Sequence, residues 1–151
     1  MFWSLVLILV NVATVSAQPV LDEISPRERT ALAGSYTTER LWVWQKRLNL
    51  QDWRISVMMS RSTELKPKTL GNIHWDLDKK TAVIRVLDPA DYHLGFREML
   101  DDMEFTVVHE LIHLGFAPVV SDLQRSDANR REEEYSVNNM TEALLKLARG
   151  R

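Results

Sequence analysis

The stretch FREMLDDMEFTVVHELIHLGFAP, residues 96–118, decides how the rest of the chain is read. Met99, Met103 and Val107 fall on one helical stripe, and Phe105, Val108 and Ile112 on another. A helix that is apolar on most of its faces is one buried among other elements. Asp101, Asp102 and Glu104 lie towards its start, where negative charge suits the helix dipole. Gly115 and Pro118 supply a stop signal. In a chain of 151 residues, such a helix is expected at the centre of a single domain.

Working outward, the flanking elements have to cover that helix. Upstream, Ser25-Pro26-Arg27-Glu28 carries a capping residue, a proline for the first helical position and a capping-box glutamate. Leu41, Trp44 and Leu48 continue at helical spacing, with Gly34 a candidate break into two helices. Trp42 and Trp44 are expected in the core. After a turn at residues 49–53, Ile55, Val57 and Met59 alternate with Arg54, Ser56 and Met58, the period of a half-buried strand. Residues 60–69 read as a loop. Ile73, Trp75 and Leu77 then alternate with Asn72, His74 and Asp76, Asp78-Lys79-Lys80 supplies a turn, and the β-branched run from Thr81 to Leu87 completes a hairpin. Downstream, residues 121–131 read as a polar loop. Glu132 to Ala148 forms a last helix with Val137, Met140, Leu144 and Leu147 on its inner face. The expected fold is α+β: an N-terminal helix, a small, mostly antiparallel three-stranded sheet, then two helices.

Composition narrows the function classes. The net charge of −2 and the lack of a basic cluster exclude an electrostatic footprint for nucleic acid. The first seventeen residues differ from the rest: Leu5 to Val15 is almost continuously apolar, and Val15-Ser16-Ala17 has the small residues of a cleavage site. This is the pattern of a secretory signal, although no Lys or Arg precedes the apolar run. A buried N-terminal helix or an uncleaved anchor are the other readings of it. The run is short for a span of roughly 20 residues, so no stable membrane insertion is expected after cleavage. The organisation read from this is a signal at 1–17 and one domain at 18–151, secreted or periplasmic. Without cysteine, an exported chain has no disulfide framework, and any metal site must use His, Asp and Glu.

Within the central helix, His109-Glu110-Leu111-Ile112-His113 fits the HExxH pattern. Residues i and i+4 lie one turn apart on the same face, so both imidazoles can reach one ion. Glu110 sits about 100° around the helix, beside such an ion without ligating it. With four histidines in the chain, a random match is expected on the order of one time in a hundred. An isolated buried histidine is by default a hydrogen-bonded core residue; two at this spacing, with a glutamate between them, point to metal. No histidine follows His113, so a third ligand has to be a carboxylate. Glu132, Glu133 and Glu134 are the candidates, and such a run is also what a solvated helix start looks like.

This segment resembles the gluzincin metallopeptidases, in which a glutamate on a second helix completes a zinc site. Size and element order are similar to the minimal members of that clan, the minigluzincins and related short bacterial and phage peptidases. The resemblance spans roughly residues 41–147 and is specific at the two active-site helices. It implies Zn2+ held by His109, His113 and Glu134, with Glu133 as second choice. Asn138, four residues after Glu134, stands where a group supporting a ligating histidine is expected, whereas Glu133 would put Val137 there. Asn in place of the Asp of thermolysin-like enzymes weakens that support. The implied activity is peptide hydrolysis with Glu110 as general base, on a protein or peptide substrate lying along a strand edge of the 71–87 hairpin. A donor for the tetrahedral intermediate is left unassigned among Tyr92, His93, Tyr135 and His74. Residues 119–131, which join the two ligand-bearing helices, are placed to act as a lid. The alternative is an exported, non-catalytic metal-binding or interaction domain, in which Glu110 has no chemical task.

Overall fold

Ser25 starts the first helix of the computed structural model, which describes residues 24–67, 69–120 and 126–150. Its hydroxyl accepts from the Glu28 N–H at 3.3 Å and the Glu28 carboxylate accepts from the Ser25 N–H at 2.9 Å. With Pro26 at the first position, this capping box opens α1, Pro26–Arg47. Gly34 does not break it. Thr37 and Thr38 donate to the carbonyls of Ala33 and Gly34, and the face formed by Ala33, Thr37, Leu41 and Trp44 is buried, so packing overrides the local glycine cost. Trp42 is the other correction: at 68% exposure it lies on the solvent side, because the buried stripe passes through Leu41 and Trp44. The signal read at residues 1–17 lies outside the described residues.

The chain then forms β1 (Arg54–Ser60), β2 (Gly71–Asp76) and β3 (Thr81–Leu87). The sheet is mixed, in the order β1-β3-β2. The expected hairpin pairs β2 with β3 antiparallel, its turn closed by Lys80 at φ 47, while β1 pairs with β3 in parallel. The ten-residue stretch between β1 and β2 carries the chain across the sheet, which leaves the β-branched β3 in the middle with Ile84 and Val86 fully buried. Register aligns Val57, Ile84 and Ile73 on one face, with Ile55, Ala82 and Trp75 beside them. That face meets the helices. On the opposite face Arg54, Ser56, Met58, His74 and Val83 are exposed.

A short 3-10 turn, Pro89–Asp91, leads to α2, Phe96–Val120. Both other helices and strands β2 and β3 pack on α2. Met99, Met103, Val107, Val108, Leu111 and Leu114 are completely buried along it. By length and hydropathy this helix is apolar enough to cross a membrane, yet it is the core helix here. It runs two residues past Pro118, beyond the expected stop. A proline this close to a helix end frees few carbonyls, and the burial of Ala117 holds the last turn in place.

The last helix, α3, spans Asp127–Ala148 and starts five residues before the expected Glu132. Ser126 caps it by accepting from the Asn129 N–H at 3.1 Å. Ala128 is the lone apolar residue in 126–131 and cannot reveal a helical period, which is why this turn reads as loop in the sequence. The Glu132–Glu134 run therefore lies beyond the first turn, where the helix dipole contributes little. The buried stripe is Val137, Thr141 and Leu145, with Met140 and Leu144 half-buried beside it. Leu147, expected inside, is 77% exposed. Thr141 can be buried because its hydroxyl donates to the Val137 carbonyl at 2.8 Å.

Glu104 is a further correction. It does not serve a helix start but lies buried between elements. It accepts from Trp44 Nε1 at 2.8 Å, from the Tyr36 hydroxyl at 3.2 Å and from Arg149 at 3.0 Å. These bonds tie α1 and the end of α3 to α2, and they hold the carboxyl below its usual range despite burial.

Candidate metal centre

His113 follows His109 by four positions, and the helical turn between them brings both rings to one side of α2 with their Nε2 atoms 3.1 Å apart. Glu134 approaches the same point from α3. Its Oε2 is 3.4 Å from Nε2 of His109 and its Oε1 is 3.5 Å from Nε2 of His113. The three side chains form a group that can hold a metal ion. Their spacing fits that use, since donors about 2.0–2.1 Å from a tetrahedral ion stand roughly 3.3 Å from one another. Three protein donors leave one position for another ligand.

Glu133, the second choice for a ligand, has a different place. Its Oε1 is 2.9 Å from Nδ1 of His113. A carboxylate there accepts the Nδ1 proton, fixes the tautomer and directs the Nε2 lone pair at the shared point. The adjacent glutamates thus divide the work: Glu134 faces the donor group and Glu133 orients one of its members. Asn138 lies one turn beyond Glu134, and its amide acts on the His109 ring. Among the described residues His109 Nδ1 is nevertheless buried with no hydrogen-bond partner, so the support expected of Asn138 is not made at that nitrogen. The His109 ring stacks on Phe105, with centroids 6.1 Å apart. Burial, together with the neighbouring His113, lowers the His109 pKa and favours the neutral ring that a metal requires.

Glu110 lies between the two histidines in sequence and lines the same cleft. Burial first, and the charge of Glu134 second, push its carboxyl up to about 8, with Lys66 acting in the opposite sense. It has no hydrogen-bond partner among the described residues.

The cleft has a volume of about 400 Å³. One wall is α2 and α3; the other is β2, an edge strand with one side unpaired. Gly71 lets β2 come this close: a Cβ there would stand 2.4 Å from Thr106 Cγ2 and 2.6 Å from the Arg85 carbonyl oxygen. Asn72 also lines the cleft, and its Oδ1 is buried without a partner.

None of the four unassigned candidates lines this cleft. Tyr92 donates to Asp102 at 2.8 Å, His74 and His93 are exposed, and Tyr135 points to solvent at 65% exposure. The polar lining residues that the sequence reading missed are Lys66, Thr69, Asn72, Thr106 and Arg130. Arg130 was detectable in principle, being one helical turn before Glu134, once α3 is started at Asp127. Lys66 sits in a loop with no periodic signal. Of the connection expected to act as a lid, residues 121–125 lie outside the described residues.

Comparisons with protein-family models, with curated proteins and with solved structures find no match to this chain.

Proposed function

We propose that this chain is a zinc-dependent peptidase that hydrolyses peptide bonds in a gluzincin-like manner. One observation carries the reading: two imidazoles and a carboxylate converge on a single point in an open cleft, and a second, buried carboxyl, Glu110, lies beside them without a hydrogen-bond partner among the described residues. Zinc suits a set of two nitrogens and one oxygen with an open position, in a chain that has no thiolate to offer. When bound, the ion would supply Lewis acidity towards a carbonyl and make water a stronger acid.

The chain's own residues supply the rest. His109, His113 and Glu134 hold the ion, with Glu133 fixing the His113 ring. Glu110 takes a proton from the attacking water and passes it to the departing amine nitrogen. The unpaired edge of β2 offers main-chain hydrogen bonds to an extended peptide. Those contacts recognise backbone, which accounts for a protein or peptide as the substrate class. The apolar segment at the N-terminus supports action outside the cytoplasm.

Elemental analysis of the purified protein beside a Glu134→Ala variant is the direct test. About one zinc per chain is expected, with the metal lost or much weakened in the variant. A native chain that takes up no metal on reconstitution would sink the proposal.

A further inference from the structure

Two cations line the cleft, and neither forms an ion pair among the described residues: Lys66 from the loop before β2, and Arg130 from the first turns of α3. We propose that Lys66 and Arg130 form a subsite for a carboxylate of the substrate, beside the metal centre. The inference rests on reading this cleft as a peptide-binding one.

Backbone geometry fixes where both cations start. The 61–67 loop is clamped: Asp91 accepts from Arg61 Nε at 3.0 Å and from the Ser62 N–H at 2.7 Å. Leu65 is buried, and the Lys66 carbonyl accepts from both the N–H and the hydroxyl of Thr69. The Lys66 side chain therefore leaves a held backbone, towards the cleft. Arg130 follows the Ser126 cap, with its N–H donating to the Ser126 carbonyl at 3.1 Å. It stands one turn before Glu134, on the same side of α3.

Of the nearby carboxylates, Glu133 is on His113 and Glu134 faces the two Nε2 atoms, while Glu110 feels the Lys66 charge without an ion pair to it. Cations that serve the fold are paired instead: Arg40 and Arg149 reach Glu104, and Arg61 reaches Asp91. The lining holds Glu110, Glu133 and Glu134 against Lys66 and Arg130, so a divalent ion tips its balance to positive. A carboxylate brought by the substrate meets a cleft of opposite sign and two donors able to form charge-assisted hydrogen bonds. Its source is either the C-terminal carboxylate of a peptide or an Asp or Glu side chain.

Binding, not turnover, provides the test. A zinc-loaded Glu110→Gln protein is titrated with fluorescent peptides of one sequence ending in a free acid or an amide, and with amide-terminated peptides carrying an internal Glu or Gln. The acidic member of at least one pair is expected to bind about tenfold tighter. That ratio should fall close to one when Lys66→Gln and Arg130→Gln are added, with the affinity for neutral peptides and the metal content unchanged. A preference confined to the first pair assigns the terminal carboxylate, and one confined to the second assigns a side chain. Ratios near one in the parent, or undiminished in the double substitution, overturn the subsite. Metal content of the same samples separates the two failures: a chain that takes up no zinc overturns the peptidase reading and this subsite with it, whereas a ratio near one at full zinc content overturns the subsite alone.

Discussion

Glu104 and Glu110 sit on the same helix with almost equal burial, 6% and 7% exposed, yet their surroundings are opposites. Glu104 is met by Trp44, Tyr36 and Arg149, with Arg40 at 3.7 Å, and its carboxyl is held below the usual range. Glu110 meets no donor among the described residues, faces a cleft, and is pushed up to about 8. Burial alone therefore does not tell a structural carboxylate from a chemical one; the inventory of partners does. A buried charge with all its bonds made stabilises the fold. One kept without them is tolerated only where something else uses it, so substitution should separate the two.

The largest effect is expected at Glu110. Glu110→Gln keeps the shape and removes the base, so peptidase turnover should drop by about 10²–10⁴-fold while zinc content and melting temperature hold. Turnover assays paired with elemental analysis and thermal melts check this. If the substitution lowered the melting temperature and left turnover alone, the contrast between the two carboxylates would collapse.

Glu104→Gln should do the reverse. Losing the charge in that cluster should cost about 2 kcal/mol of unfolding free energy, measured in denaturant, with zinc content unchanged. The effect should also depend on pH with a definite sign. Because the folded carboxyl is held below the ordinary glutamate value of 4.5, its contribution is full above that value and fades as pH falls through the folded pKa. The gap between native and Glu104→Gln stability should therefore be widest near neutrality and close below pH 4.5. A gap that widened in acid would mean the cluster does not favour the charged form.

The sequence made one side of this contrast far more legible than the other. His109, Glu110 and His113 lie within five residues, and helical geometry alone puts them on adjoining faces. The α+β order and the capping box at Ser25 are equally local. Glu104 is not: its partners lie 45 to 68 positions away in sequence, so nothing near it marks it as a hub. The parallel pairing of β1 with β3 and the cleft positions of Lys66 and Asn72 are likewise tertiary. In α3, a polar first turn concealed a helix start. The preference for Glu134 over Glu133 comes from the resemblance and the position of Asn138, whereas the place of Glu133 on His113 needs both helices together.

Gly71→Ala tests whether the chemical side depends on close approach of the sheet. The added methyl meets Thr106 and the Arg85 carbonyl, and one of these is backbone, which cannot swing aside. The start of β2 must move away from α2, at a cost of about 1–2 kcal/mol. The cleft wall moves with it, so peptide affinity should fall while zinc is retained. Unchanged affinity would show that the β2 edge is not where the peptide lies.

The smallest expected effect sharpens the structural side. Gly34 lies inside α1, and a Cβ there would have no neighbour within 4 Å. The same helix presents Tyr36, Arg40 and Trp44 to Glu104. Gly34→Ala reduces the freedom of the unfolded chain without disturbing a contact, so it should stabilise by about 0.5–1 kcal/mol in denaturant titration. Combined with Glu104→Gln it should add nearly independently, since stiffening the helix does not replace the lost charge. Strong non-additivity would mean that the Glu104 cluster itself holds α1 helical through Gly34, making packing around one carboxylate the reason the predicted break never forms.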